Sequence, residues 1–412
     1  MKNTILKITS LSLLTSSLLL ASGWRLPESS SRSTALSGAY IANSNGADAT
    51  YYNPANMSFN KNAYQLEIGL MNVSLPSMKY KDNTNTALDG KSQKESTLIP
   101  SLFFTTKDYN NVRYGFSVTV PGGLTRRWET PYQKTYAQEF ALKIVEFNPS
   151  ISYKVSNKLS IAGGLRAIYS NGVVKSDGTD YGKPAIRDME GETVEYGYNL
   201  ALSYQDTSKT KFSLTYRSNI DLKEEGNAKL HLSGTKRYDG GVYVTVPLPA
   251  VLSFAIAYDI TPKLNVEVEL DRTYWSSYKN LDFEYKSPIP LALRPSFDDA
   301  KERDWEDTDA LRIGLTYKYS NETTLMFGVS KDGNPIPQKA VSFESPDYNS
   351  NTISAGFDYK VSNKSSFGFG YLFSKKDDRK VSNTNADGTP YLNGELTNAK
   401  AHLVSLAYRI DF

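Results

Sequence analysis

The 412-residue sequence contains no cysteine. Disulfides, thiolate metal sites and a lipid anchor on an N-terminal cysteine are excluded with it. Histidine is almost as scarce, with 2 residues, His231 and His402. Hydrolases and metal sites rely on that side chain as base or ligand, and neither histidine has a persuasive partner along the chain. HExxH, P-loop and calcium-loop spacings are all missing. A block of basic charge is missing too: 47 Lys and Arg and 44 Asp and Glu are scattered to a net +3. Nucleic acid is therefore not an expected partner, and we expect neither an enzyme nor a cofactor- or metal-dependent protein.

Long hydrophobic runs are confined to the N-terminus. Lys2 and Lys7 precede an apolar stretch, Leu11 to Leu20, followed by the small residues Ala21, Ser22 and Gly23. This reads as a signal peptide over residues 1–21, cleaved after Ala21, because the run is too short and too interrupted to span a bilayer. No later stretch approaches the roughly 18 apolar residues that a transmembrane helix needs. The exported chain is either soluble or a membrane protein built without helices.

What is abundant is Tyr, at 29 residues, with 17 Phe and a mean hydropathy of −0.46, a mix suited to strands with one greasy and one wet face. Residues 24–59 lack a period of two and leave room for a short helix around Thr34 to Ala42. From Asn62 onward the alternation is sustained to the last residue, as in Tyr64, Leu66, Ile68, Leu70 and in Val112, Tyr114, Phe116, Val118, Val120. About fourteen such segments are counted, including Leu98 to Thr106 and Phe212 to Leu222, many of the nine to eleven residues that a tilted membrane strand needs. Short links near 107–111, 156–158, 206–209, 261–263, 320–323 and 362–364 alternate with long polar connections, among them 121–140, 171–192 and 223–247. That sorting is typical of outer-membrane barrels. The parity opposite the apolar one carries Arg113, Glu146, Lys154, Arg166, Arg217, Asp221, Glu267, Glu269, Asp271, Arg312, Arg409 and Asp411, which a dry core could not hold unless all were paired. A polar lumen can.

The hexapeptide YKVSNK occurs twice, at Tyr153 to Lys158 and Tyr359 to Lys364, with near-copies YDITPK, YKYSNE and YQDTSK. All five sit at short links and read as one turn reused. Tyr at strand ends fits an interfacial aromatic belt, and the terminal Phe412 fits recognition by the barrel assembly machinery. The expected fold is an all-β, 14-stranded antiparallel transmembrane barrel over residues 60–412, preceded by a segment, residues 22–59, that is not strand-like.

TYYNPANMSF at Thr50 to Phe59 and SGWRLPESS at the mature start resemble the hatch of the FadL/OmpP1/TodX family of outer-membrane transporters. VTVPGGL, LTYRSNIDL, TYWSSY, DALRIGLTYKY and GNPIP extend the resemblance over the mature chain. It implies a monomer with residues 22–59 as an N-terminal hatch in the lumen, surrounded by outer-membrane lipid and lipopolysaccharide, that takes up hydrophobic molecules such as fatty acids, alkanes or aromatics. Substrate would be captured by apolar outer loops, pass a hatch formed around Asn53, Pro54 and Ala55, and leave sideways at a kinked third strand, here Pro121, Gly122 and Gly123. The rival is a general diffusion porin for polar solutes. The resemblance places Trp24 in the ligand pocket and puts Asn171 where the family carries a basic residue. Inward-facing Arg166 either grips a ligand carboxylate or pairs with a lumen acid. Val244, Val246 and Leu248 in one outer loop, and Ile289, Leu291 and Leu293 in another, either bind ligand or pack on each other.

Overall fold

The computed structural model describes residues 23–206, 209–384 and 390–412. The signal peptide expected over 1–21 lies outside them. Numbering only the strands of the wall, β1 is Gln65–Leu75, β2 Glu95–Thr105, β3 Val112–Thr119, β4 Glu139–Lys154, β5 Leu159–Asp177, β6 Ala185–Gln205 and β7 Thr210–Arg217. The second half comprises β8 Val251–Asp259, β9 Leu264–Thr273, β10 Thr308–Lys318, β11 Thr323–Asp332, β12 Ser350–Lys360, β13 Ser365–Lys376 and β14 Lys400–Asp411. Each pairs antiparallel with the next, and β14 closes on β1 from Gln65↔Asp411 to Ser74↔His402. The 14-stranded barrel thus has no open edge.

Alternation sorts the faces as expected. On β1, Gln65, Glu67 and Met71 are buried whereas Ile68 and Leu70 are exposed, and Ile151, Leu165, Leu200, Phe254 and Val404 continue that apolar outer wall. Such a wall is stable against hydrocarbon, not water. Inward charges are paired or bonded to backbone groups, which offsets their desolvation: Arg113 donates to the carbonyls of Asn60 and Lys61, and other charges form ion pairs. Arg312 bonds Asp271 at 3.1 Å and Asp332 at 2.5 Å, and Arg409 bonds Glu67 at 2.7 Å and Asp358 at 2.6 Å.

The tight turns lie at one end of the barrel, and four of them share one device. Ser156 Oγ accepts from the amides of Lys158 and Leu159, Ser320 Oγ from Glu322 and Thr323, and Thr261 Oγ from Lys263 and Leu264. Ser362 Oγ accepts from Lys364. The hydroxyl at the fourth position of both copies of YKVSNK, of YDITPK and of YKYSNE therefore sets the reversal, whereas the fourth residue of YQDTSK lies outside the described residues.

Several boundaries differ from expectation. The helix near the N-terminus is Ser31–Ala35, not 34–42: the Ser30 side chain caps it by accepting from Ser33 N, and left-handed Ser37 (φ 51) and Gly38 (φ 85) end it. The connection expected over 171–192 is mostly strand, since β5 and β6 pair as far out as Asp177↔Ile186. The segment Phe212–Leu222 is two strands. β7 stops at Arg217, and Ile220–Leu232 forms a hairpin with Thr235–Leu248 that pairs with the outer part of β6. Asp221 consequently sits on the exposed face of that hairpin and not in the lumen.

Residues 24–59 pack against inward-facing side chains around the barrel. Arg25 bonds Asp271 on β9 at 3.0 Å, Ser37 meets Ser354 on β12 at 2.8 Å, Asn53 donates to Ser213 on β7 at 2.8 Å, and Ser58 meets Ser152 on β4 at 2.5 Å. Glycine makes room for it: a Cβ on Gly328 would lie 2.2 Å from the carbonyl carbon of Leu36.

Candidate functional site

The wall is incomplete between β2 and β3. Their ladder runs only from Thr105↔Gly115 to Leu102↔Val118, although β2 stays paired to β1 as far as Leu75↔Glu95. Contact resumes farther out, where Gln93 N donates to Arg127 O at 2.9 Å and Arg127 pairs with Glu95. Two prolines, Pro100 and Pro121, fall in the unpaired stretch, and neither has an amide to donate. β3 is itself interrupted and resumes as Gly123–Arg127 along β4. Because Thr119 faces Glu146 and Gly123 faces Lys143, three residues of this strand oppose two of β4. This is a bulge, which bends a strand and re-aims its side chains.

The N-terminal segment occupies the bend. Leu26 N donates to Pro121 O at 2.9 Å, and Gly123 N donates to Trp24 O at 2.8 Å. Gly122 is required by that approach: a Cβ there would lie 2.6 Å from Trp24 O. Pro121, Gly122, Gly123 and Trp24, separated by about a hundred residues in sequence, thus form one contact. The Trp24 ring is 2% exposed and boxed by Trp275 at 4.8 Å, Tyr278 at 5.3 Å and Trp305 at 4.8 Å between centroids, the first two edge-on. The indole N–H groups of Trp24 and Trp305 have no acceptor among the described residues, a cost that folded interiors seldom carry.

Beside this contact lies a cavity of 60 Å³ lined by Arg25, Tyr51, Tyr52, Pro121, Arg166, Arg217 and Leu248 among others. It is far below the roughly 300 Å³ at which ligand pockets begin. Arg166 lines it but is engaged, with Nε and Nη2 donating to Glu146 Oε2 at 3.1 and 3.0 Å and Nη1 to Ser218 O at 2.7 Å. Of the two readings open for this arginine, the structure contains the pairing with a lumen acid. Asn171 donates to Gly191 O at 3.1 Å.

Asn53 ties the N-terminal segment together: Nδ2 also donates to Ile41 O at 3.0 Å, and Oδ1 accepts from Ala55 N at 3.1 Å. Pro54 opens the 3-10 helix Pro54–Phe59, and Ala55 is fully buried. Of the outer-loop residues, Val246, Leu248, Ile289 and Leu293 are buried in one hydrophobic cluster, with Val244 packed against it. Leu291 is 77% exposed and stands apart. Sequence reasoning passed over Pro100, whose place inside an alternating segment signals a strand that loses its partner. It also passed over the ring box, since Trp275, Tyr278 and Trp305 become neighbours only through the fold.

Residues 12–412 match the family described as Outer membrane protein transport protein (OMPP1/FadL/TodX). The long-chain fatty acid transport protein of Escherichia coli K12 is 22% identical over 342 residues, which cover 70% of this chain and 74% of that protein. Outer membrane protein P1 of Haemophilus influenzae is 22% identical over 313 residues, covering 67% and 66%. A Pseudomonas aeruginosa FadL homologue superposes with a TM-score of 0.84 at 17% identity, covering 95% of this chain and 100% of that structure. The Pseudomonas putida toluene transporter TodX gives 0.73 at 19%, covering 95% and 100%. Closed barrel, apolar outer wall and family match agree: the chain belongs to the FadL/TodX family of outer-membrane transport proteins, and its place is the bacterial outer membrane.

Proposed function

We propose that the protein carries hydrophobic compounds, of the fatty acid, alkane or aromatic kind, passively across the outer membrane. Apolar outer loops capture the solute, residues 22–59 act as the hatch, and the unpaired stretch between β2 and β3 is the sideways exit. The observation that carries this reading is the N-terminal segment hydrogen-bonded into the bend at Pro121 to Gly123, because withdrawing it would free the 60 Å³ cavity and the break in the wall together. A general diffusion porin has no use for a segment that fills its lumen. A catalytic role is not proposed. The apolar outer face suits a monomer surrounded by lipid and lipopolysaccharide, with Phe412 as the assembly signal. The test is uptake of radiolabelled oleate, an alkane and a monoaromatic by cells lacking their own outer-membrane carrier. Accumulation of at least one class is expected, and failure of all three with the barrel correctly inserted would overturn the proposal.

A further inference from the structure

At the end of the barrel away from the tight turns, the lipid-facing side of β11 to β14 finishes in a row of cations. Lys331 on β11 lies directly opposite Asn351 on β12, Asn351 opposite Lys375 on β13, and Lys375 opposite Lys400 on β14. With neighbouring strands about 4.8 Å apart, the row spans about 14 Å. Lys331 and Lys375 are exposed and Lys400 is half-buried. On the same face Val329 and Phe373 stand two residues below Lys331 and Lys375, and Val404 stands four below Lys400. His402, between Val404 and Lys400, is hydrogen-bonded to Tyr371 at 2.9 Å. The row thus caps the apolar wall, where hydrocarbon gives way to lipid head groups.

None of the three lysines has a carboxylate within ion-pair distance among the described residues. The acids nearby are engaged elsewhere or lie beyond the row. Asp332 pairs with Arg312 and Asp347 with Lys376, both inside the barrel. Asp378 accepts from Asn398 N at 3.3 Å, and exposed Asp377 forms no ion pair. Lys94, exposed two residues past Ser96 on the lipid-facing side of β2, is a fourth cation without one. Other cations on that side are matched by the chain itself. Arg272 lies directly opposite Asp309, paired at 2.9 Å, and Lys175 directly opposite Asp188, paired at 3.4 Å. Like charges directly opposite each other destabilise a sheet, yet Lys375 faces Lys400.

We infer that this row is a docking site for the phosphorylated sugar head of one lipopolysaccharide molecule, its phosphates on Lys331, Lys375 and Lys400 and its acyl chains along Val329, Phe373 and Val404. An ammonium is a compact point charge that suits phosphate, and the apolar wall directly below suits acyl chains. A second copy of the same face would only set lysine against lysine. The inference rests on the proposed lipopolysaccharide surroundings and gives that lipid a place on the wall.

The test is equilibrium binding of diphosphoryl lipid A, the same lipid stripped of both phosphates, and phosphatidylglycerol to the purified full-length protein in neutral detergent without divalent cations. The phosphorylated lipid is expected to bind at least about tenfold more tightly than the stripped one, less than the summed effect of three lysines at an anionic surface. K331Q/K375Q/K400Q should bring the two within about twofold, whereas K158Q/K263Q/K364Q, which removes the same charge at the tight turns, should keep the preference. Binding of the stripped lipid by both variants shows that they are folded. Equal binding of phosphorylated and stripped lipid by the unaltered protein would overturn the inference, as would a preference that survives K331Q/K375Q/K400Q or falls equally in the turn variant. Phosphatidylglycerol bound as tightly as lipid A, or lipid A displaced by equimolar inorganic phosphate, would overturn it too. Cells carrying K331Q/K375Q/K400Q should still accumulate a hydrophobic probe, so failure of lipid A binding leaves the transport proposal standing.

Discussion

Four successive backbone amides of the N-terminal segment end on two carboxylates of β9. Tyr40 and Ile41 donate to Glu269 Oε2 at 3.0 and 3.3 Å, and Ala42 and Asn43 donate to the two oxygens of Glu267 at 2.7 and 2.9 Å. Such charge-assisted bonds contribute about 1.5–3 kcal/mol each. Glu267→Gln turns one acceptor into a donor facing an amide, so amide exchange at residues 40–43 should quicken by roughly ten- to a hundredfold while the barrel stays folded. Unchanged exchange would mean that these bonds do not hold the segment. Lys301 makes a prediction in pH. Its folded-state value, about 8, lies below its ordinary 10.5, so between those values the unfolded chain binds more protons and stability rises with pH. Lys301→Met is therefore expected to stabilise the outer loops at pH 7, read as a higher temperature of unfolding. A variant less stable than the unaltered protein at pH 7 would contradict this.

Among the elements, β3 carries the argument. Deleting Gly122 removes the extra residue of the bulge, so Val120 and Pro121 would face Val145 and Ile144 and the strand could run unbroken beside β4. Insertion into the membrane should be retained and hydrophobic uptake should fall by an order of magnitude or more, because the straightened strand closes the exit and expels Trp24 O from its site. Undiminished uptake would place the exit elsewhere. Strands and tight turns were legible in the sequence because period two and the Ser or Thr hydroxyl are local signals, which is why YKVSNK marks the same end of the barrel twice. The outer hairpin Ile220–Leu232 with Thr235–Leu248 was not, since its alternation continues that of the wall and only pairing with β6 shows where the chain leaves it. The Trp24 box joins residues from distant connections, and no local pattern announces such a meeting.

At the scale of the whole molecule, the inside-out sorting of side chains was readable because it repeats on every strand: apolar positions such as Ile68 and Leu165 face outward while Glu146 and Arg312 face inward. How fully residues 24–59 fill the interior was not readable, because Ser37, Asn53 and Ser58 find partners on strands that the sequence does not align with them. The central claim is that this segment makes the barrel a carrier of captured hydrophobic solutes and not an aqueous pore. Single-channel conductance in planar bilayers tests it most directly. The intact protein should conduct little or nothing, and deletion of residues 22–58 should open large, stable steps; large steps from the intact protein would contradict the account and make it a porin.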